Sequence, residues 1–254
     1  MPAPSPTAPP LPAFTCQAPS LAGLDHVTVW IFDLDNTLYP ATSSLFPQID
    51  RRMKGFISER LKLSEAEAFA LQKDYFRRFG TTLRGLMLNH DVAPAEFLDY
   101  VHDVDHTCLI ADPRLDAALG RLEGRKLVFT NGSQSHAEAV LLKLGLERHF
   151  EAIFDIIAAD YVPKPVPETY LKMTRRHGID PREALFAEDS HLNLKPAHEM
   201  GMATAWVRSG APDPFGPPPE GDLSHCQHVV RDLAPWLARV VDEVQAAGKG
   251  APPL

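Results

Sequence analysis

Five short apolar runs, at residues 27–32, 127–130, 153–158, 184–187 and 203–207, punctuate the chain, and four of them lead into segments with helical spacing. That alternation predicts a Rossmann-like α/β core built on a parallel sheet, because parallel neighbours need a crossover and a helix usually supplies it. One interval breaks the rhythm. Between Tyr39 and Asp112 the chain runs for roughly 70 residues with helical periodicity and no strand, far beyond an ordinary connection. It predicts an inserted all-helical cap after the first strand, with helices near 45–61, 64–79, 83–89 and 94–101. Ser64-Glu65-Ala66-Glu67 has the form of a capping box. The stripe Leu83, Leu86, Met87 and His90 has the spacing of a packed helix face.

The expected layout is a disordered Pro-rich leader over 1–20, a core formed by 21–40 together with 112–240, a cap over 41–111 and a tail over 241–254. Residues 212–219, with five prolines and a glycine among them, read as a further irregular stretch. At 254 residues and 44% hydrophobic, the chain can bury a full core. A formal net charge of -8 without a basic stripe argues against a nucleic-acid polymer as partner. No apolar run approaches the ~18 residues of a membrane span. Cys16, Cys108 and Cys226 lie far apart with no C-x-x-C spacing, which fits unpaired thiols and a cytoplasmic protein. The first 19 residues lack a basic start and carry too many prolines for a signal peptide.

The first apolar run ends in Asp33-Leu34-Asp35. Residues i and i+2 of a strand share a side, so both carboxylates are expected to converge at the strand's end. Three more features fall at later strand ends: Thr130-Asn131-Gly132-Ser133, Lys164-Pro165-Val166-Pro167-Glu168, and Glu188-Asp189-Ser190. Two like charges ~4 Å apart cost about 4 kcal/mol at an effective dielectric of ~20, so a cluster of Asp33, Asp35 and Asp189 calls for a cation. An oxygen-only donor set points to Mg²⁺ rather than zinc. The expected metal ligands are Asp33, the Asp35 backbone carbonyl and Asp189, with Glu188 as direct or indirect support. Asp33 is the candidate nucleophile, since a carboxylate can carry a transferred phosphoryl group. Asp35 is the candidate general acid and base. Thr130 and the backbone amides of Asn131 and Gly132 would hold phosphoryl oxygens, and Lys164 would balance charge on Asp33 and on the transferring group.

This four-part arrangement resembles the haloacid dehalogenase superfamily over most of the chain. Asp33-Leu34-Asp35-Asn36-Thr37-Leu38 looks like its first motif, Thr130-Asn131-Gly132 its second, Lys164 its third and Glu188-Asp189 its fourth. The resemblance implies that family's fold, Mg²⁺ dependence and aspartyl-phosphate route. Asn36-Thr37-Leu38-Tyr39-Pro40, Phe79-Gly80-Thr81-Thr82-Leu83-Arg84-Gly85-Leu86, Lys164 to Tyr170, and Glu188-Asp189-Ser190 through Asn193 to Gly201-Met202 look like the pyrimidine 5'-nucleotidase branch. Glu188 stands where that family often has Asp. The implied substrates are small phosphorylated metabolites, UMP, CMP or dTMP, with phosphoglycolate or a sugar phosphate as the alternative. A phosphomutase and a non-catalytic phosphate-binding regulator are further alternatives. Dehalogenation is disfavoured, because Asp35 has no place in it. Thr81, Thr82 and Arg84 are the candidates for lining a substrate pocket beneath the cap. His102 and His106, four apart with Asp103 and Asp105 between, have a spacing that suits a metal but read as polar surface at the cap's hinge.

Overall fold

A computed structural model describes residues 23–208 and 222–249. The expected leader with Cys16, the stretch 212–219 and the end of the tail lie outside the described residues. Six strands form one parallel sheet: β1 (Val29–Phe32), β2 (Arg125–Phe129), β3 (Ala152–Phe154), β4 (Ala184–Glu188), β5 (Ala203–Val207) and β6 (His228–Val230). Their spatial order is β3-β2-β1-β4-β5-β6, so β1 lies at the centre and pairs with β2 and β4. All four β1 residues are buried, as expected of a strand covered on both faces. Trp30 and Phe32 enter one hydrophobic cluster and Val29 and Ile31 the other, the alternation of the pleat dividing the core in two.

Between β1 and β2 lie α1 (Leu45–Leu61), α2 (Glu65–Phe79), α3 (Thr82–His90) and α4 (Pro94–His102). The capping box at Ser64 is formed in full, with Ser64 accepting from the Glu67 amide and Glu67 accepting from the Ser64 amide. These four helices bury their own cluster, including Ile49, Phe56, Tyr75, Leu86 and Phe97. The rings of Phe56 and Phe97 meet edge to face at 5.2 Å. A Cβ on Gly85 would come within 2.3 Å of the Tyr75 ring, so only glycine lets α3 lie this close to α2. Ile156, from the loop after β3, enters the same cluster and joins the insert to the sheet.

The remaining helices are α5 (Pro113–Arg121), α6 (Gln134–Leu144), α7 (Pro167–His177), α8 (His191–Glu199) and α9 (Leu233–Lys249). α5, α6 and α9 cover one face of the sheet, α7 and α8 the other. Three elements depart from the sequence expectation. The third apolar run stops as a strand at Phe154, because the Asp155 carboxylate accepts from the amides of Gln134 and Ala158 and turns the chain. β6 is a sixth strand, three residues long on the sheet's edge, too short to register as an apolar run. The expected tail over 241–254 is helical to Lys249, since Leu237, Val240 and Val241 continue the apolar stripe of α9 into the core. Among the described residues no helix is long and apolar enough to cross a membrane.

Candidate active site

Because β1, β2 and β4 are parallel neighbours, the segments that leave their carboxyl ends face one crevice. Asp33 follows β1 directly, and its amide donates to the Ala187 carbonyl at 2.9 Å, which fixes the backbone against β4. Its carboxylate accepts from Lys164 Nζ at 2.7 Å and from Thr37 Oγ1 at 3.2 Å. Lys164 is 1% exposed. Its ammonium also donates to Glu188 Oε2 at 2.7 Å and to the Phe129 carbonyl at 2.8 Å, so all three N–H bonds are spent within the protein. Its charge is thus directed at Asp33 and Glu188. Burial alone would lower its pKa, but those two carboxylates more than offset this and hold it above the usual lysine value.

Glu188 ends β4, and its second oxygen accepts from the Ser190 amide at 3.1 Å. Carboxylate oxygens of Asp33, Glu188 and Asp189 lie within 4.8 Å of one another. Burial pushes Asp33 up to about 7, and the charge of Glu188 adds to this against the pull of Lys164. Asp189 is pushed well above its ordinary value, by burial first and then by Glu188 and Asp33. One lysine among three carboxylates, two of them buried and Asp189 half-buried, leaves negative charge in excess. That excess, with an all-oxygen donor set, fits a hard divalent cation.

Asp35 belongs to a different network. Its Oδ1 accepts from Tyr39 Oη at 2.5 Å and from His136 Nε2 at 2.9 Å. Burial opposes its ionisation, yet His136 and Tyr39 outweigh that and bring its pKa down to about 2. Asn36, in the left-handed region at φ +63°, starts the turn that takes the chain away from the sheet. The two acids thus answer to different partners: Asp33 faces Lys164 and Thr37, and Asp35 faces His136 and Tyr39.

Thr130 is buried, and its Oγ1 accepts from the Gly132 amide at 2.9 Å. A Cβ on Gly132 would lie 3.3 Å from Thr130 Oγ1, 3.3 Å from His136 Cδ2 and 3.8 Å from Asp35 Oδ2, so the loop passes both side chains closely. The Asn131 side chain donates to the Lys164 carbonyl at 3.3 Å and accepts from the Lys164 amide at 2.9 Å. It clamps the backbone that delivers the lysine.

The candidates in the insert have other employment. Thr81 caps α3 by accepting from the Arg84 amide at 3.2 Å. Thr82, 4% exposed, points its hydroxyl at the Gln72 carbonyl. Arg84 donates to the Tyr161 carbonyl at 2.9 Å. Within the protein these three thus meet a helix cap, α2 and the loop before Lys164.

A model of haloacid dehalogenase-like hydrolases matches residues 27–201, which includes β1 to β4 and the residues that follow them in the crevice. The chain belongs to that family. Phosphate metabolism protein 8 of Saccharomyces cerevisiae is 27% identical over 192 residues, 68% of this chain and 59% of that protein. The chain thus matches less than two thirds of that relative's length. Glyceraldehyde 3-phosphate phosphatase of Methanopyrus kandleri is 25% identical over 231 residues, 80% of this chain and 97% of that enzyme. The crystal structure of a HAD phosphatase from Thermococcus onnurineus shares the fold, with a TM-score of 0.56 and 18% identity over 88% of this chain and 99% of that one.

Sequence reasoning missed two residues of this family member's crevice and misplaced a third. His136, on the first turn of α6, has a fully buried side chain. Its place just after Thr130-Asn131-Gly132-Ser133 was the available signal. Tyr39 was legible only as part of a motif. His102 is not polar surface: its ring stacks on that of His136 at 4.4 Å and 11°, and its Nδ1 lies 2.9 Å from Ser133 Oγ.

Proposed function

We propose that the chain is a Mg²⁺-dependent phosphomonoester hydrolase working through an aspartyl-phosphate on Asp33. The observation that carries this is the division between two acids two residues apart: Asp33 beside Lys164, Glu188 and Asp189, and Asp35 tied to Tyr39 and His136. Asp33 attacks phosphorus, the bond from phosphorus to the alcohol oxygen breaks, and that oxygen takes a proton from Asp35. Water then attacks the same phosphorus and gives its proton to Asp35, and phosphate leaves as the bond to Asp33 breaks. Negative charge arriving with the substrate raises the proton affinity of Asp35, which the proton-donating step needs. Thr130 and the amides of Asn131 and Gly132 supply donors to phosphoryl oxygens; for Gly132 this means exchanging its bond to Thr130. Asp33, Asp189 and the Asp35 carbonyl would hold the Mg²⁺, with Glu188 behind them between Lys164 and the Ser190 amide. The bound ion would neutralise phosphoryl charge.

In this reading α1–α4 form a cap over the catalytic core, with divisions near residues 40 and 112. The substrate is a small phosphate monoester. A pyrimidine nucleoside monophosphate, UMP, CMP or dTMP, rests on the motif resemblance. A triose or sugar phosphate is the second reading, favoured by the name of the Methanopyrus relative. A cytoplasmic setting belongs to the same proposal, and the free thiols Cys108 and Cys226 support it. Phosphate release from UMP, CMP, dTMP, AMP, GMP, glyceraldehyde 3-phosphate, phosphoglycolate and hexose phosphates, with Mg²⁺ and with chelator, tests the whole. Turnover of one class that chelator abolishes is expected. Activity indifferent to chelator overturns the metal, and no release from any ester overturns the reaction.

A further inference from the structure

The side chain of His136 is completely buried, its Nδ1 has no hydrogen-bond partner, and its one side-chain bond goes to Asp35. A carboxylate oxygen accepts and cannot donate, so Nε2 carries the proton in that bond. Asp35 Oδ1 thereby receives two donors, from His136 and Tyr39, while Oδ2 lies on the side of Gly132, where phosphoryl oxygens would sit. A carboxylate pinned through one oxygen cannot rotate the other out of reach of the leaving group or the attacking water. The histidine is itself held from two sides. Its backbone amide is bonded to Ser133 Oγ at 3.3 Å on the first turn of α6. The His102 ring, at the last residue of α4, lies flat on it and is tied to the same Ser133 hydroxyl. The absent Cβ of Gly132 leaves room at the ring's edge.

We propose that His136 is a positioning residue for the acid–base step: it orients Asp35, and the His102 ring from the helical insert holds it in place. The inference rests on the phosphatase reading above. It makes a demand that a merely space-filling core histidine does not. Asp35 serves two steps unequally: a good leaving group such as 4-nitrophenolate departs without a proton, whereas hydrolysis of the phosphoenzyme still needs the base. Loss of orientation should therefore spare formation of the phosphoenzyme from 4-nitrophenyl phosphate and slow its breakdown.

The test compares His136→Leu and His136→Gln with the parent protein in Mg²⁺, using rapid-mixing measurement of 4-nitrophenolate and steady-state turnover of an alkyl phosphate. Far-ultraviolet circular dichroism and thermal melting are run on the same samples. His136→Leu is expected to release one 4-nitrophenolate per enzyme in a burst and then turn over about 100-fold more slowly than the parent, within the range that general acid–base catalysis contributes. Alkyl phosphate turnover should fall at least as far. His136→Gln, which keeps an N–H donor at similar reach, should recover about tenfold of that loss. Burst and steady state slowed together, with Gln no better than Leu, would assign His136 to structure and overturn the proposal. Unchanged kinetics in the Leu variant would overturn it too. If the parent protein releases no phosphate from any ester, the phosphatase reading itself has failed, an outcome distinct from either of these.

Discussion

The strand ends and the helical insert use charge in opposite ways. At the strand ends Lys164 is 1% exposed and bonded to three acceptors, two of them carboxylates that are themselves buried. In the insert, the Arg78–Asp74 pair on α2 joins side chains that are 60% and 45% exposed, and Arg52–Asp103 joins one that is 32% and one that is 79% exposed. Exposed pairs like these contribute about 0–1 kcal/mol, because water and salt screen them. Removing one partner of a buried pair costs about 3–5 kcal/mol, because the charge left behind has no solvent to answer it. The contrast says where the molecule tolerates change and where it does not.

Asp33→Asn should show the largest effect. Asparagine keeps the shape but is no nucleophile, so turnover should fall at least about 1,000-fold, read as phosphate release from protein that circular dichroism shows to be folded. Equal turnover in the two proteins would end the distinction between a reactive strand end and a merely buried one. Next comes Lys164→Met, which leaves Asp33 and Glu188 facing each other. A stability loss of about 3–5 kcal/mol is expected from urea unfolding, smaller at acid pH where those groups can take up protons. Asn131→Ala removes both bonds to the Lys164 backbone and should cost about 1–3 kcal/mol, with turnover falling as the lysine loosens.

The contact between the two regions gives a pH prediction. Burial, with the nearby His136, lowers the pKa of His102 from 6.5 to about 3. The unfolded chain therefore binds the proton first, so the stability contributed by His102 is complete above about pH 6.5 and is lost as pH falls towards 3. His102→Phe keeps an aromatic ring on His136 and cannot titrate; its urea midpoint should fall less steeply than that of the parent between pH 6.5 and 4. Arg84→Ala should do least. Its bond to the Tyr161 carbonyl is worth about 1 kcal/mol, and KM should change less than about twofold. A KM rise of tenfold or more would place Arg84 in the substrate pocket.

Much of this was legible in the chain because it is written locally. The helices of the insert begin and end within about two residues of their sequence expectation, since capping residues and apolar spacing act over a single turn. Asp33, Glu188 and Asp189 were legible because each sits at or just beyond a strand end and carries a charge that needs an answer, whereas Lys164 lies well along the loop that follows β3. Tyr39 and Asn131 were in view as parts of motifs, but not as partners of Asp35 and of the Lys164 backbone. The partners of the cap residues were not legible for a related reason: a threonine hydroxyl or an arginine reads the same whether it meets a ligand or a carbonyl of its own chain.

By itself the sequence determined a parallel α/β core with a helical insertion and the set of acids, because strand alternation, helix periodicity and the cost of burying a carboxylate are properties of short segments. Only the tertiary structure decided which acid answers to which partner. His136 meets Asp35 across 101 residues and Ser133 meets His102 across 31, and such pairings exist only once β1, β2 and the insert are packed. What sets Asp33 apart from Asp35 is therefore the direction in which a turn points each carboxylate, and neighbours at that range leave no local signature.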